Sequence, residues 1–178
     1  MKTITYSKLN RENFTTNSLD NFKRYQEVKE CWRKINNKFV FVPNEFIEDW
    51  DSRKLMKSTE AILKAIDQNS VVYGAYYQDE LVGYIYLGNE VFGSNDQYVE
   101  LLMFQVSETY RKMGIGKMLF KYACDGARHL GVSKLYISAH SSKESQAVYR
   151  KMGCIDAVEI NKVIAESEPF DIQMEYQL

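Results

Sequence analysis

Apolar residues recur along this chain with two different periods, and each change of period marks an element. Thr3 to Tyr6 reads as a first strand. Ser18 then has the character of a helix N-cap. Beyond it Leu19, Phe22, Val28, Cys31, Trp32 and Ile35 fall at helical spacing, with a break near Tyr25. Lys38 to Pro43 reads as irregular or as a short extended piece. Asp51 or Ser52 caps a further helix, with Leu55, Met56, Thr59, Ile62, Leu63 and Ile66 on one face. Val71 to Tyr77 and Leu81 to Leu87 are rich in β-branched and aromatic residues. They flank Gln78, Asp79 and Glu80, so they predict a hairpin. Tyr98 to Val106 is almost continuously apolar, the pattern of a strand buried on both faces.

The second half repeats this alternation of strand and helix. Gly114 to Leu130 is amphipathic, with Ile115, Met118, Leu119, Tyr122, Ala123 and Leu130 on the apolar side. Gly131 suits a left-handed C-cap. Lys134 to His140 predicts the next strand. Ser141 and Glu144 suggest a capping box for a short helix that carries Tyr149 and stops at Gly153. Asp171 to Tyr176 predicts a closing strand. No internal repeat or linker divides the chain, so residues 1–178 are expected to form one α/β domain.

Composition narrows the function. At 178 residues and 45 % apolar, the chain suits one full core. A net charge of −1 gives no nucleic-acid footprint. No apolar run approaches the ~20 residues that span a bilayer, and MKTITYSKLN lacks the apolar centre of a signal peptide. Cys31, Cys124 and Cys154 are scattered and odd in number, which points to reduced thiols and a cytoplasmic setting. With His129 and His140 as the only histidines, no metal site is expected.

Residues 111 to 117, Arg-Lys-Met-Gly-Ile-Gly-Lys, lie where the Tyr98 strand hands over to the following helix. The first N–H groups of a helix have no partner within it and carry partial positive charge. Glycine lets a bulky anion come close to them. The result is a pyrophosphate cradle made mostly of main chain. Met118 after Lys117 excludes a Walker A loop, and Leu119 breaks a Rossmann fingerprint.

What remains, R-x-x-G-x-G within VSETYRKMGIG, resembles the acyl-CoA loop of the GNAT N-acetyltransferase superfamily, V-x-P-x-Y-R-x-x-G-I-G. Glu108 stands where proline is usual. A second stretch, SKESQAVYRKMGC from Ser142 to Cys154, is similar to that family's N-x-x-A-x-x-L-Y-x-x-x-G-F. Tyr149 and Gly153 match. Ser142, Ser145 and Cys154 replace Asn, Ala and Phe. The resemblance covers roughly residues 70 to 158, and two motifs in the right order are far more specific than one.

The resemblance implies a mixed, splayed β-sheet of about six to seven strands flanked by helices. The sheet would open between the Tyr98 and Lys134 strands to hold acetyl-CoA as co-substrate. Phe104, Gln105 and Val106 would offer main-chain hydrogen bonds to the pantetheine arm. Backbone groups of Met113, Gly114, Ile115, Gly116 and Lys117 would meet the pyrophosphate, with Arg111 and Lys112 adding charge. Ser142 and Ser145 complete the expected cofactor set. N-terminal helices over 18–69 would cover the acceptor site. The acceptor is expected to be a small-molecule amine, cationic or an antibiotic, attacked directly in a ternary complex. A protein lysine or N-terminal amine, and a non-enzymatic acyl-CoA sensor, stay open as alternatives. Many relatives are dimers, so a homodimer is also expected.

The resemblance implies that Tyr149 is the general acid, and its chemistry agrees: a phenol keeps its proton at neutral pH and can give it to a departing thiolate. A core tyrosine with a satisfied hydroxyl is the plainer alternative. Glu100, beside Val99, Leu101 and Leu102, is the expected base: apolar neighbours raise a carboxyl pKa toward a useful value. His140 is its rival, and a water chain is a third option. Glu45, Glu48, Asp49, Trp50 and Asp51 either start a solvated helix or attract a cationic amine. His129 reads as a partner of its own helix dipole.

Overall fold

The strand Tyr98–Val106 stands at the centre of a seven-stranded sheet, and its two edges have different fates. The computed structural model describes residues 3–36 and 38–178. In chain order the strands are Ile4–Lys8 (β1), Tyr25–Ile35 (β2), Lys38–Asp49 (β3), Val72–Tyr77 (β4), Glu80–Phe92 (β5), Tyr98–Val106 (β6), Lys134–Ala139 (β7), Ile155–Asp156 (β8) and Ile172–Gln177 (β9). The helices are Ser52–Asp67 (α1), Ile115–His129 (α2), Lys143–Lys151 (α3) and Lys162–Ser167 (α4). The large sheet runs β1-β4-β5-β6-β7-β9-β8, and β2 with β3 forms a separate two-stranded ribbon.

On one edge β6 pairs with β5 along most of its length, from Phe92↔Tyr98 to Gly83↔Val106. On the other it runs parallel to β7 for three pairs only: Tyr98↔Lys134, Val99↔Leu135 and Glu100↔Tyr136. Beyond Glu100 the strands part. The far end of β7 turns to β9 instead, through Ile137↔Met174, Ser138↔Gln173 and Ala139↔Ile172. This is the expected splay. It leaves one edge of Leu101 to Val106 without a strand partner, and main-chain groups inside a protein require one.

Both faces of the sheet are covered, as the apolar run of β6 foretold. Ile85 and Leu87 join Val99, Leu101, Leu135 and Ile137 under α2, whose Ile115, Leu119 and Ala123 are fully buried. Tyr84 and Tyr86 point the other way. They pack with Ile62 and Leu63 of α1 and with Leu9, Phe14, Leu19 and Phe22 from the N-terminal turns.

Three expectations need correction. The helix beginning at Ser18 does not exist: residues 16–21 are turns, and Tyr25–Ile35 is a strand. The ribbon changes register between Val28 and Glu30, so buried Val28 and Cys31 lie three apart on an irregular strand. That offset imitates a helical face. Of the N-terminal helices expected over 18–69, α1 alone forms; Asp51 caps it by accepting from the Lys54 N–H at 2.8 Å. Ser142, one residue later than expected, caps α3 and accepts from the Ser145 N–H at 3.3 Å. Ser141 is instead tied to the ribbon: its carbonyl accepts from Trp32 N and its hydroxyl from Arg33, both at 2.7 Å. The short β8 and α4 have too little periodicity to stand out in the sequence.

Candidate active site

A cavity of about 820 Å³ fills the gap between β6 and β7. Its walls come from five places. β6 supplies Leu101 to Val106, the glycine turn supplies Arg111, Lys112, Ile115 and Gly116, and α3 supplies Glu144, Ser145 and Tyr149. Ser138, His140 and Asp171 stand on the β7–β9 side, and Arg24 to Glu27 on the ribbon side. Distant segments thus converge on the unpaired edge of β6.

The turn has the backbone geometry that an anion cradle requires. Lys112 (φ +63°) and Gly114 (φ +83°) both take left-handed conformations, which is unfavourable for lysine and typical of sites where the surroundings hold the backbone. A Cβ on Gly114 would meet nothing within 4 Å, so the space beyond it is open. Asp51, Ser142 and Asn161 cap the other three helices with side-chain oxygens, but α2 has no side-chain cap. Its first-turn N–H groups face the gap. Arg111 curls back and donates from Nε to the Val106 carbonyl at 3.1 Å. Burial lowers its pKa, and neighbouring Arg24 lowers it further.

Of the expected cofactor residues, Phe104, Gln105, Val106, Arg111, Lys112, Ile115, Gly116 and Ser145 line the cavity. Met113, Gly114 and Lys117 lie exposed on the turn beside it. Ser142 does not reach it. It is fully buried, and besides capping α3 its hydroxyl donates to Ser145 Oγ at 2.9 Å and accepts from Gln26 Nε2 at 3.2 Å. Ser142→Ala should therefore cost about 1 kcal/mol of stability, the usual value of a cap. Thermal melts and calorimetry check this. Lost acetyl-CoA affinity at unchanged melting temperature would make Ser142 a ligand contact.

Tyr149 projects from α3 into the cavity, its ring 6.3 Å from that of Phe104. Its hydroxyl makes no hydrogen bond among the described residues, unlike buried Tyr84, whose hydroxyl meets Ser58 at 2.7 Å. Burial is the main cause that pushes the Tyr149 pKa up, with Cys154 and Asp171 adding to it. The group stays a protonated donor.

Glu100 is not in this cavity. It lines a second concavity of about 620 Å³ with Tyr86, Asn89, Glu90 and Asn161, on the α1 side of the sheet. Leu102 borders both spaces. Burial raises the Glu100 pKa, in the direction a base requires. His140 does line the first cavity, and its Nδ1 accepts from the Ser142 N–H at 3.2 Å. Asp171, which the sequence did not single out, sits there too; burial raises its pKa, and His140 works against that.

The acidic run divides. Asp51 is a cap, and Glu48 contacts Arg24 at 3.4 Å and Lys54 at 3.7 Å. His129 closes α2 through Nδ1 and the Asp125 carbonyl at 2.7 Å. The three cysteines are buried and free. Among the described residues no group of His, Cys, Asp or Glu could hold a metal ion, and no helix is long and apolar enough to cross a membrane.

The sequence model of the acetyltransferase (GNAT) family matches residues 25–154, most of the chain and all of this site except Arg24 and Asp171. The chain belongs to the GNAT acetyltransferase family. GNAT enzymes with solved structures share its fold. Nourseothricin acetyltransferase superposes with a TM-score of 0.71 at 14 % identity, with 98 % of each chain covered. A Bacillus anthracis protein assigned as a streptothricin acetyltransferase, bound to acetyl coenzyme A, gives 0.69 at 16 % identity, with 99 % of each chain covered. The PaiA N-acetyltransferase of Thermoplasma acidophilum, bound to coenzyme A, gives 0.62 at 18 % identity and the same coverage. A search of curated protein sequences found no match. The GNAT chain described here is thus an enzyme with the family's mixed sheet.

Proposed function

We propose that this acetyltransferase moves the acetyl group of acetyl-CoA to a primary amine of a small molecule, by direct attack in a ternary complex. The observation that carries this reading is the unpaired edge of β6 leading to the uncapped start of α2. An extended amide-bearing arm can complete the edge as a strand would, and a pyrophosphate can take the free N–H groups of the helix. Relatives of the same fold act on nourseothricin and hold acetyl-CoA or CoA, which supports this choice of substrates. The free, buried cysteines fit a reducing cytoplasm.

In this mechanism the acceptor amine reaches the thioester where Leu102 separates the two cavities. Glu100 takes the amine proton from the second concavity, directly or through water, because an ammonium has no lone pair to attack with. Tyr149 gives its proton to the departing sulfur. Glu100→Gln should then lower kcat/KM by roughly 10²-fold, most severely at low pH, where the amine is mainly protonated. The raised pKa also fixes the sign of a stability effect. A carboxyl that ionises less readily in the folded state loses stability as pH rises from its unfolded to its folded pKa. The glutamine variant should consequently melt no lower than wild type at neutral pH. A wild-type acidic limb in its pH–rate profile would pass the base role to His140, Asp171 or water.

Release of free thiol from acetyl-CoA in the presence of an amine panel tests the function itself. Turnover with small amines is expected. Turnover with peptides alone would make the acceptor a protein, and binding without any turnover would defeat the proposal.

A further inference from the structure

Arg24 is a buried cation with too few partners. It is 8 % exposed and lines the large cavity. Among the described residues its Nε and Nη1 have no hydrogen-bond partner. Nη2 has one long contact, 3.4 Å to Glu48 Oε2, and Glu48 is shared with Lys54. Trp50 lies 5.9 Å from the guanidinium carbon. Burial lowers the Arg24 pKa, Glu48 opposes this, and Arg111 repels from the same cavity. Guanidinium nitrogens only donate. A desolvated cation that keeps two donors free therefore faces a missing acceptor, and a charged one satisfies it best.

Position decides which molecule carries that acceptor. Arg24 belongs to the α1 side of the sheet. It follows Phe22, which packs 5.3 Å from Tyr84, and its carbonyl accepts from Trp50 N at 3.0 Å. Tyr84 is opposite Gln105 on β6. The glycine turn and α2 lie against the other face, through Phe104 and Ile115. The phosphates of CoA have their own donors there. The α1 side is also the side of Glu100, the base of the mechanism proposed above. We infer that Arg24 forms an oxyanion site for the acceptor, so that the molecule acetylated carries a carboxylate or phosphate as well as its amine.

The cavity is otherwise mixed in charge, since Glu27, Glu108, Glu144, Asp171 and Lys112 also line it. A zwitterionic acceptor suits such walls better than a polycation does. Strands rise about 3.3 Å per residue, so Leu102 and Gln105 are roughly 10 Å apart along β6. The amine and the anionic group should accordingly be separated by several bonds. The inference rests on the acetyl-transfer function proposed above, and it narrows the acceptor class.

Matched probes test it: ω-amino acids of increasing length against their primary amides, and 2-aminoethyl phosphate against ethanolamine. Wild-type enzyme should prefer the anionic member of a pair by roughly tenfold or more in kcat/KM. Arg24→Met should bring that ratio to about one, and Arg24→Lys should keep part of it. Acetyl-CoA affinity by calorimetry should stay within about twofold, and the methionine variant should melt no lower than wild type, because a buried cation with two unsatisfied donors is gone and Glu48 keeps Lys54. Equal wild-type rates on acid and amide would overturn the site. So would weakened acetyl-CoA binding in Arg24→Met, which would give Arg24 to the CoA phosphates. An equal fall on every amine with a lower melting temperature would make it structural.

A binding arm separates this inference from the catalytic proposal. With CoA present, the anionic probes should raise the melting temperature of wild type and leave Arg24→Met unmoved. That shift without turnover would defeat the catalytic proposal and retain the site. No shift from any probe would defeat the site.

Discussion

Gly116→Asp should remove most of the affinity for acetyl-CoA while the protein stays folded. Gly116 lies in the first turn of α2 and lines the cavity. A carboxylate there favours the helix dipole, so the helix itself is not weakened. The same charge faces the pyrophosphate. Two like charges 4 Å apart near a protein surface repel by about 4 kcal/mol, and each 1.4 kcal/mol is a factor of ten in affinity, so a loss of roughly a hundredfold or more is expected. A Cβ at this position would also come 3.1 Å from Phe104 Cζ. Gly116→Ala isolates that contact and should lose far less. Calorimetry with acetyl-CoA and thermal melts read both terms. Wild-type affinity in a folded aspartate variant would dismiss the cradle.

Tyr149→Phe should cut kcat by roughly 10²- to 10⁴-fold, the range of a positioned general acid. The variant keeps the ring that packs against Phe104 and deletes the hydroxyl alone. Because that hydroxyl has no partner among the described residues, its loss should leave the melting temperature close to wild type. Acetyl-CoA affinity should also hold, since the proton matters only as charge develops on sulfur. Burial keeps the phenol protonated well above neutrality, so it should contribute no alkaline limb to the pH–rate profile in the physiological range. Normal turnover with a lower melting temperature would show a structural hydroxyl and end its role as acid.

Both predictions concern residues that were visible in the sequence, and the reason is locality. A strand, a glycine turn and the helix it opens lie within about thirty consecutive residues from Tyr98 to Leu130. Their periodicity, turn residues and caps are properties of near neighbours. The same holds for Tyr149 on a short helix between Ser142 and Gly153. The hairpin of β4 and β5, the positions of β7 and β9, and the left-handed Gly131 (φ +81°) followed in the same way.

Other features depended on contacts between distant segments. Val28 and Cys31 have helical spacing, yet they belong to a strand because the ribbon with β3 is irregular at that point. Ser142 matched a family position but became a cap tied to Gln26, 116 residues away. Glu100 was legible as a carboxylate among apolar neighbours. Its placement across Leu102 from the Tyr149 cavity was set by the parting of β6 and β7 after three pairs. Arg24 gave no signal at all. An arginine in sequence is an ordinary surface residue; only the packing of Phe22, Glu48, Trp50 and Tyr84 around it, from segments far apart in the chain, buries the charge and leaves its donors free. Short-range pattern determined the elements and the glycine turn. Strand register and burial, which exist only once the chain has closed on itself, decided which side chains face the gap.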